Sequence, residues 1–251
     1  MEYTGRPDLY DLRHFAELMP GEFDFFERLA TQGTGPVVEL GFGSGRVGLE
    51  LARCGHEVIG VDRSEAMLEQ ARERLKGERP ETRERVRLVQ ASMTDFELDF
   101  KSHLIYVPFS AFLHLRTQAE QRACLRQVRK HLKGFFAGSF FRPDPARLAR
   151  TPYEHVDFVR TAQTGQRVVQ SSYTLECDLH EQTRTVLMRT EVFSPEGDLL
   201  ENVLHDCEIA WIYGREWRLL LELEGFKLEL LEGGFQGEPV ADSWTYVWVA
   251  S

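Results

Sequence analysis

An apolar run, "VVEL" at Val37–Leu40, is followed at once by three glycines at alternate positions, Gly41, Gly43 and Gly45. A second apolar run, "HEVIGV", comes next and closes on an acid, Asp62. A strand, a glycine turn, a helix and a second strand ending in a carboxylate make a crossover unit with parallel strands. Glycines in the turn let a ligand touch the backbone beside a helix N-terminus, and Asp62 is placed to accept hydrogen bonds from both hydroxyls of a ribose. The spacing is E-x-G-x-G-x-G with Glu39 ahead of the first glycine, whereas a dinucleotide-type G-x-G-x-x-G needs its third glycine where Arg46 stands. No GK[ST] follows, which excludes a Walker-type phosphate loop. Glycines in such a turn are by themselves as well explained by structure alone; the flanking strands and Asp62 favour a nucleoside site.

The same alternation runs on. Residues 64–76, "SEAMLEQARERLK", have helical spacing with Ser64 as N-cap and Met67 at its third helical position. "VRLVQA", "HLIYVPF" and "GFFAGSFF" read as a third, fourth and fifth strand, with a helix over 117–132 between the last two. This predicts an α/β fold, a doubly wound, mostly parallel, Rossmann-like sheet. After Arg142-Pro143 the pattern changes to short alternating runs, "RVVQSSYTLECDL", "RTVLMRTEVFS" and "LLENVLHDCEIAWIY", separated by turn-like "HEQT" and "PEGD". Residues 151–213 are therefore expected to form an inserted antiparallel β-meander cap. The α/β domain is expected over 1–150 and 214–251, with oligomer contacts, if any, through the cap. "GREWRLLLELEGF" returns to helix, and "KLELLEGGF" and "SWTYVWVA" make a closing strand pair.

A formal net charge of −10 argues against a polyanion as main partner, since the summed field repels it. The arginines of 72–87 are interleaved with Glu73, Glu78, Glu81 and Glu84 and read as a solvated face. No apolar run reaches the roughly 18 residues of a membrane span, and the first residues show neither a basic start nor an apolar core. Cys54, Cys124, Cys177 and Cys207 form no CxxC pair and the histidines no metal-like spacing, so reduced thiols, no metal and a cytoplasmic location are expected.

Residues 37–72 resemble the first two motifs of class I S-adenosylmethionine-dependent methyltransferases. "VRLVQASMTDFEL" is similar to their third-strand motif, and "LIYVPFSAFLHL" to the fourth-strand motif of small-molecule N-methyltransferases, in which Asn or Ser follows Pro-Phe and a His comes shortly after. "YDL" near the N-terminus, "VRKHLKG" and "GGFQGEP" extend the likeness. The resemblance implies S-adenosylmethionine as cofactor. Gly41, Gly43 and Gly45 would line its methionine part, Glu39 would organise the loop, and Asp62 would hold the ribose. Arg63 and Met67 would lie near the adenine, with Ser92, Met93 and Phe109 completing the cofactor site. Ser92 stands where the family has an Asp, Ala91 where it has Gly, and His103 where it has an Asp at the start of the fourth strand.

The cofactor's sulfonium already makes the methyl group electrophilic, so the protein need only align a nucleophile and exclude water. An amine must be presented as the free base, for which His114 and Tyr10 are the candidate residues. The alternatives are a helix-start histidine and an aromatic anchor of the N-terminal segment. Ser110 and Arg142 are the candidate acceptor contacts; Arg142 alternatively closes the junction to the meander as a surface charge. The expected acceptor is a small molecule, methylated at a nitrogen nucleophile. Protein or RNA methylation, and cofactor binding without transfer, are the rival readings.

Overall fold

The computed structural model describes residues 19–161 and 165–251, of which 153–161 by their backbone alone. Tyr10 and the "YDL" stretch lie outside the described residues, as do the side chains of Tyr153 and Phe158.

Helix α1 (Glu22–Ala30) precedes β1 (Val37–Leu40), α2 (Gly48–Arg53), β2 (Val58–Asp62), α3 (Glu65–Lys76), the short α4 (Pro80–Glu84) and β3 (Val86–Gln90). Then follow β4 (Ser102–Val107), a 3-10 turn (Ala111–His114), α5 (Gln118–His131), β5 (Leu132–Phe141) and α6 (Pro145–Leu148). Side-chain caps set the starts of α3 and α5. Ser64 Oγ accepts from the Met67 N–H at 3.4 Å, and Thr117 and Glu120 form a reciprocal capping box at α5.

Four antiparallel strands come next, β6 (Tyr153–Thr161), β7 (Arg167–Asp178), β8 (Thr183–Phe193) and β9 (Leu199–Ala210), forming a sheet of their own in chain order. The sequence runs accounted for three of them. The fourth, β6, carries "YEHVDFVRT", whose charges interrupt the alternation, and is set by its pairing with β7. Helix α7 (Gly214–Leu223) leads back to β10 (Leu228–Glu232) and β11 (Thr245–Ala250).

The main sheet has seven strands in the order β3-β2-β1-β4-β5-β11-β10. The first five are parallel, and β11 runs antiparallel to both neighbours. It is doubly wound as the alternation predicts. Val38, Leu40, Ile105, Val107, Phe136 and Trp248 pack on one face with Leu125 and Trp217 from α5 and α7. Val37, Leu104, Tyr106 and Val247 pack on the other with Phe26, Leu49 and Leu68 from α1, α2 and α3. Successive residues thus serve opposite cores, which is why these strands are apolar throughout. The chain leaves β1 toward β2 and β3, then restarts on the other side at β4. This order reversal opens a crevice at the carboxyl ends of β1 and β4.

Candidate active site

The crevice is built around the glycine turn. Gly41 and Gly43 have φ of 72° and 59°, a left-handed backbone that side chains disfavour. A Cβ on Gly41 would stand 2.6 Å from the Ala111 Cβ and 3.8 Å from Met93 Cε. On Gly43 it would stand 3.2 Å from Met67 Cε. The turn after β1, the segment after β3, the first turns of α3 and the loop after β4 therefore converge on one place.

An aromatic wedge fixes the turn from below. Phe42 is buried, and its ring occupies the room left by Gly48 and Gly60, where added Cβ atoms would each come within 2.4 Å of it. Sequence reasoning missed this wedge; the signal was Gly60 in the interior of a strand, which marks a close approach. It also missed the anchor of Glu39, a buried carboxyl that accepts a hydrogen bond from the Tyr106 hydroxyl at 2.8 Å. Burial pushes the pKa of Glu39 up to about 8, opposed by the hydrogen bond from Tyr106 and by the charge of Arg46. Arg46 forms a two-pronged ion pair with the buried Glu22 of α1, tying that helix to the turn.

Asp62 accepts from the Gly43 N–H at 2.7 Å through one oxygen and from the Ser64 N–H at 2.8 Å through the other. A carboxylate offers about four acceptor positions, so these donors leave it able to accept from a ligand hydroxyl as well. Burial raises its pKa despite these donors and the charge of Arg63. A diol acceptor at the end of β2, beside a backbone stripped of side chains over β1, fits the ribose and methionine parts of S-adenosylmethionine.

The other sequence candidates fall around the same crevice or on its supports. The Ser92 hydroxyl lies 2.8 Å from Thr94 Oγ1 and accepts from the Thr94 N–H at 3.2 Å, closing a local turn after β3. Phe109 and Ser110, with φ of 46° and 64°, form a tight turn after β4. That turn is pinned to β5: the Phe109 N–H donates to Ser139 Oγ at 3.0 Å, and Ser110 Oγ accepts from the Phe141 N–H at 3.0 Å. His114 ends the 3-10 turn. It is exposed to solvent, and partial desolvation together with the positive charge of Arg63 lowers its pKa below the usual histidine value. Arg142 is held at the β5–β11 junction, its Nε donating to the Ser243 carbonyl and its N–H to the Trp244 carbonyl at 2.8 Å.

His103 lies at the opposite, amino-terminal end of β4, with Nε2 2.9 Å from the Ala30 carbonyl oxygen. A concavity of about 390 Å³ lined by Lys101, Arg129 and Lys133 also sits at that end, away from the crevice.

Residues 37–134 match the family model described as a methyltransferase domain. Among solved structures, the CcbJ methyltransferase from Streptomyces caelestis is 28% identical, with a TM-score of 0.74 over 91% of this chain and 92% of that one. The amino pentose methyltransferase CalS10 from Micromonospora echinaspora is 22% identical, with a TM-score of 0.72 over 96% and 95%. The sugar N-methyltransferase KedS8 from a Streptoalloteichus species is 18% identical, with a TM-score of 0.72 over 99% and 94%. A comparison with curated proteins gave no match. The doubly wound fold with a glycine turn after β1 and a carboxylate at the end of β2 is similar to that of these methyltransferases. Residues 37–134 of this chain carry a methyltransferase domain, and the crevice beside its glycine turn fits S-adenosylmethionine. No helix among the described residues is long and apolar enough to cross a membrane.

Proposed function

We propose that the chain transfers the methyl group of S-adenosylmethionine to a nitrogen of a small molecule, with His114 as the base. The supporting observation is a histidine on the loop after β4, accessible to solvent, with its pKa lowered by desolvation and near enough to Arg63 to feel its charge. Such an imidazole is neutral at physiological pH and ready to take a proton. S-adenosylmethionine supplies an activated methyl group. Gly41, Gly43 and Gly45 hold the methionine part against the backbone, Glu39 sets the turn, Asp62 takes the ribose diol, and Arg63, Met67, Ser92, Met93 and Phe109 surround the adenine end. Ser110 keeps the loop after β4 in place for the acceptor. The imidazole of His114 accepts the proton that the nitrogen sheds. The described similarity to an amino pentose and a sugar N-methyltransferase supports the choice of nitrogen.

Residues 151–213 act in this reading as a cap that shapes the acceptor space and excludes water, while 1–150 and 214–251 carry the cofactor. Arg142, held by the Ser243 carbonyl, stands at the edge of that space. The test is turnover on matched panels of amines, alcohols and carbon nucleophiles, following S-adenosylhomocysteine and the methylated product by mass spectrometry. Methylated amines are expected. Methylation confined to hydroxyl or carbon acceptors, or to protein or RNA, overturns the nitrogen reading.

A further inference from the structure

The carboxyl ends of β4 and β5 and the adjoining amino end of the antiparallel β11 carry a row of rings. Phe109 meets Phe141 edge to face with centroids 5.5 Å apart, and Phe141 lies beside Trp244 at 5.4 Å. The inner end adjoins the cofactor turn, where the Arg46 guanidinium sits 5.9 Å from the Phe109 centroid. The outer end is open: Trp244 is 46% exposed, while Trp211, Trp217 and Trp248 are at most 5% exposed. Phe109 and Phe141 are themselves only half-buried.

Packing alone does not call for this arrangement. An exposed tryptophan leaves much apolar area in water, which folding normally hides. Two consecutive non-glycine residues, Phe109 and Ser110, take left-handed backbone conformations, and such strain clusters at ligand sites. The row is also held still. Ser139, Ser110 and the Arg142 N–H to Trp244 carbonyl bond fasten its three segments to one another.

We infer that this row is a ledge for the acceptor, and that it selects a molecule whose nitrogen is attached to a ring with a flat apolar face, the ring lying against Trp244. The inference rests on the proposed acceptor entrance at the strand ends. Trp244 is a specificity residue in this account, since it lies beyond the reacting atoms. An aromatic ring and the apolar face of a pyranose share the required chemistry, and the two are separated by choice of probe.

The experiment uses the full chain saturated with S-adenosylhomocysteine, titrated calorimetrically with 4-nitrobenzylamine, glucosamine and the unringed hexylamine. At least one ringed amine is expected to bind tenfold or more tighter than hexylamine and to change the emission of the exposed Trp244 saturably. Trp244→Ala is expected to weaken that ringed amine at least tenfold, Trp244→Phe to keep its affinity within about threefold, and both to retain S-adenosylhomocysteine binding as the check on folding. Equal binding of ringed and unringed amines, no binding of either ringed amine, or unaltered ringed-amine affinity in Trp244→Ala overturns the ledge. Ring binding without methylation at nitrogen keeps the ledge and overturns the nitrogen reading. Methylation of amines without ring preference does the reverse.

Discussion

The two sheets bury different kinds of surface. In the main sheet β1, β4 and β11 are buried along their whole length, and their neighbours are leucine, phenylalanine and tryptophan. In the second sheet, the buried positions mix Val168, Val186 and Val192 with Gln170, Thr174, Thr190 and His205. Gln170 Nε2 donates to Thr190 Oγ1 at 3.1 Å across β7 and β8. Its edge strand β9 leaves Leu199, Leu200 and Leu204 more than half exposed. Close packing makes the first sheet a fixed frame for a fixed cofactor. Buried hydrogen-bonding groups add little net stability but much directional preference, and under the proposed function this suits the second sheet to a role in acceptor choice.

Variants at the crevice should break catalysis or cofactor binding, and variants between the sheets should do neither strongly. The largest effect is expected from His114→Gln. Losing a general base lowers kcat by about 10²–10⁴-fold. In the wild type, the acid limb of kcat against pH should lie below the ordinary histidine value, because the pKa of His114 is lowered. A variant with unaltered kcat and the same limb removes His114 from the chemistry.

Asp62→Ala should come next. Loss of hydrogen bonds to a charged acceptor is worth roughly 1.5–3 kcal/mol, so calorimetry should show S-adenosylmethionine affinity lower by about tenfold or more. Preserved affinity would place the ribose elsewhere.

Glu39→Gln tests the support of the turn through pH. The folded state holds the Glu39 proton up to about 8, against an ordinary value of 4.5. Below about 4.5 both states are protonated and the contribution is whole. Between the two values the unfolded chain releases a proton that the folded chain keeps, so stability falls as pH rises, and the loss is complete above about 8. The wild-type melting temperature should therefore drop more steeply from pH 5 to pH 8 than that of Glu39→Gln. Parallel curves would show that Glu39 is ionised in the fold.

The smallest effect is assigned to the ion pair between Arg116, just beyond the 3-10 turn, and Glu208 on β9, where the second sheet passes that turn. Both side chains are over a third exposed, so Arg116→Ala should cost no more than about 1 kcal/mol in denaturant unfolding. A larger loss would mean that the two sheets are coupled more tightly than this comparison allows.

The legible parts of the molecule are those written locally. Ser64 and the apolar runs of β1 to β5 announce themselves within a few residues, because capping and strand burial depend on near neighbours. The glycine turn and Asp62 were legible for the same reason, being one crossover unit. What escaped depends on distant partners. The Tyr106 hydroxyl reads as one more apolar strand residue until Glu39, 67 positions away, is beside it. Arg142 reads as a free cation until β11 brings the Ser243 carbonyl, 101 positions away, to its Nε. Strand β6 offers no clean alternation and takes its form from β7.

The Phe42 wedge ties the cofactor turn to the sheet in time as well as in space. Unfolding the turn means withdrawing a phenyl ring from over Gly60, so the turn opens only when β2 is also disturbed. Amide protons of the turn should then exchange with solvent on the schedule of the core strands rather than that of a surface loop. The cofactor meets a cradle already formed, with no closing step in this turn to slow its arrival. Differences in affinity among variants of this cradle should appear in how long the cofactor stays, not in how quickly it lands.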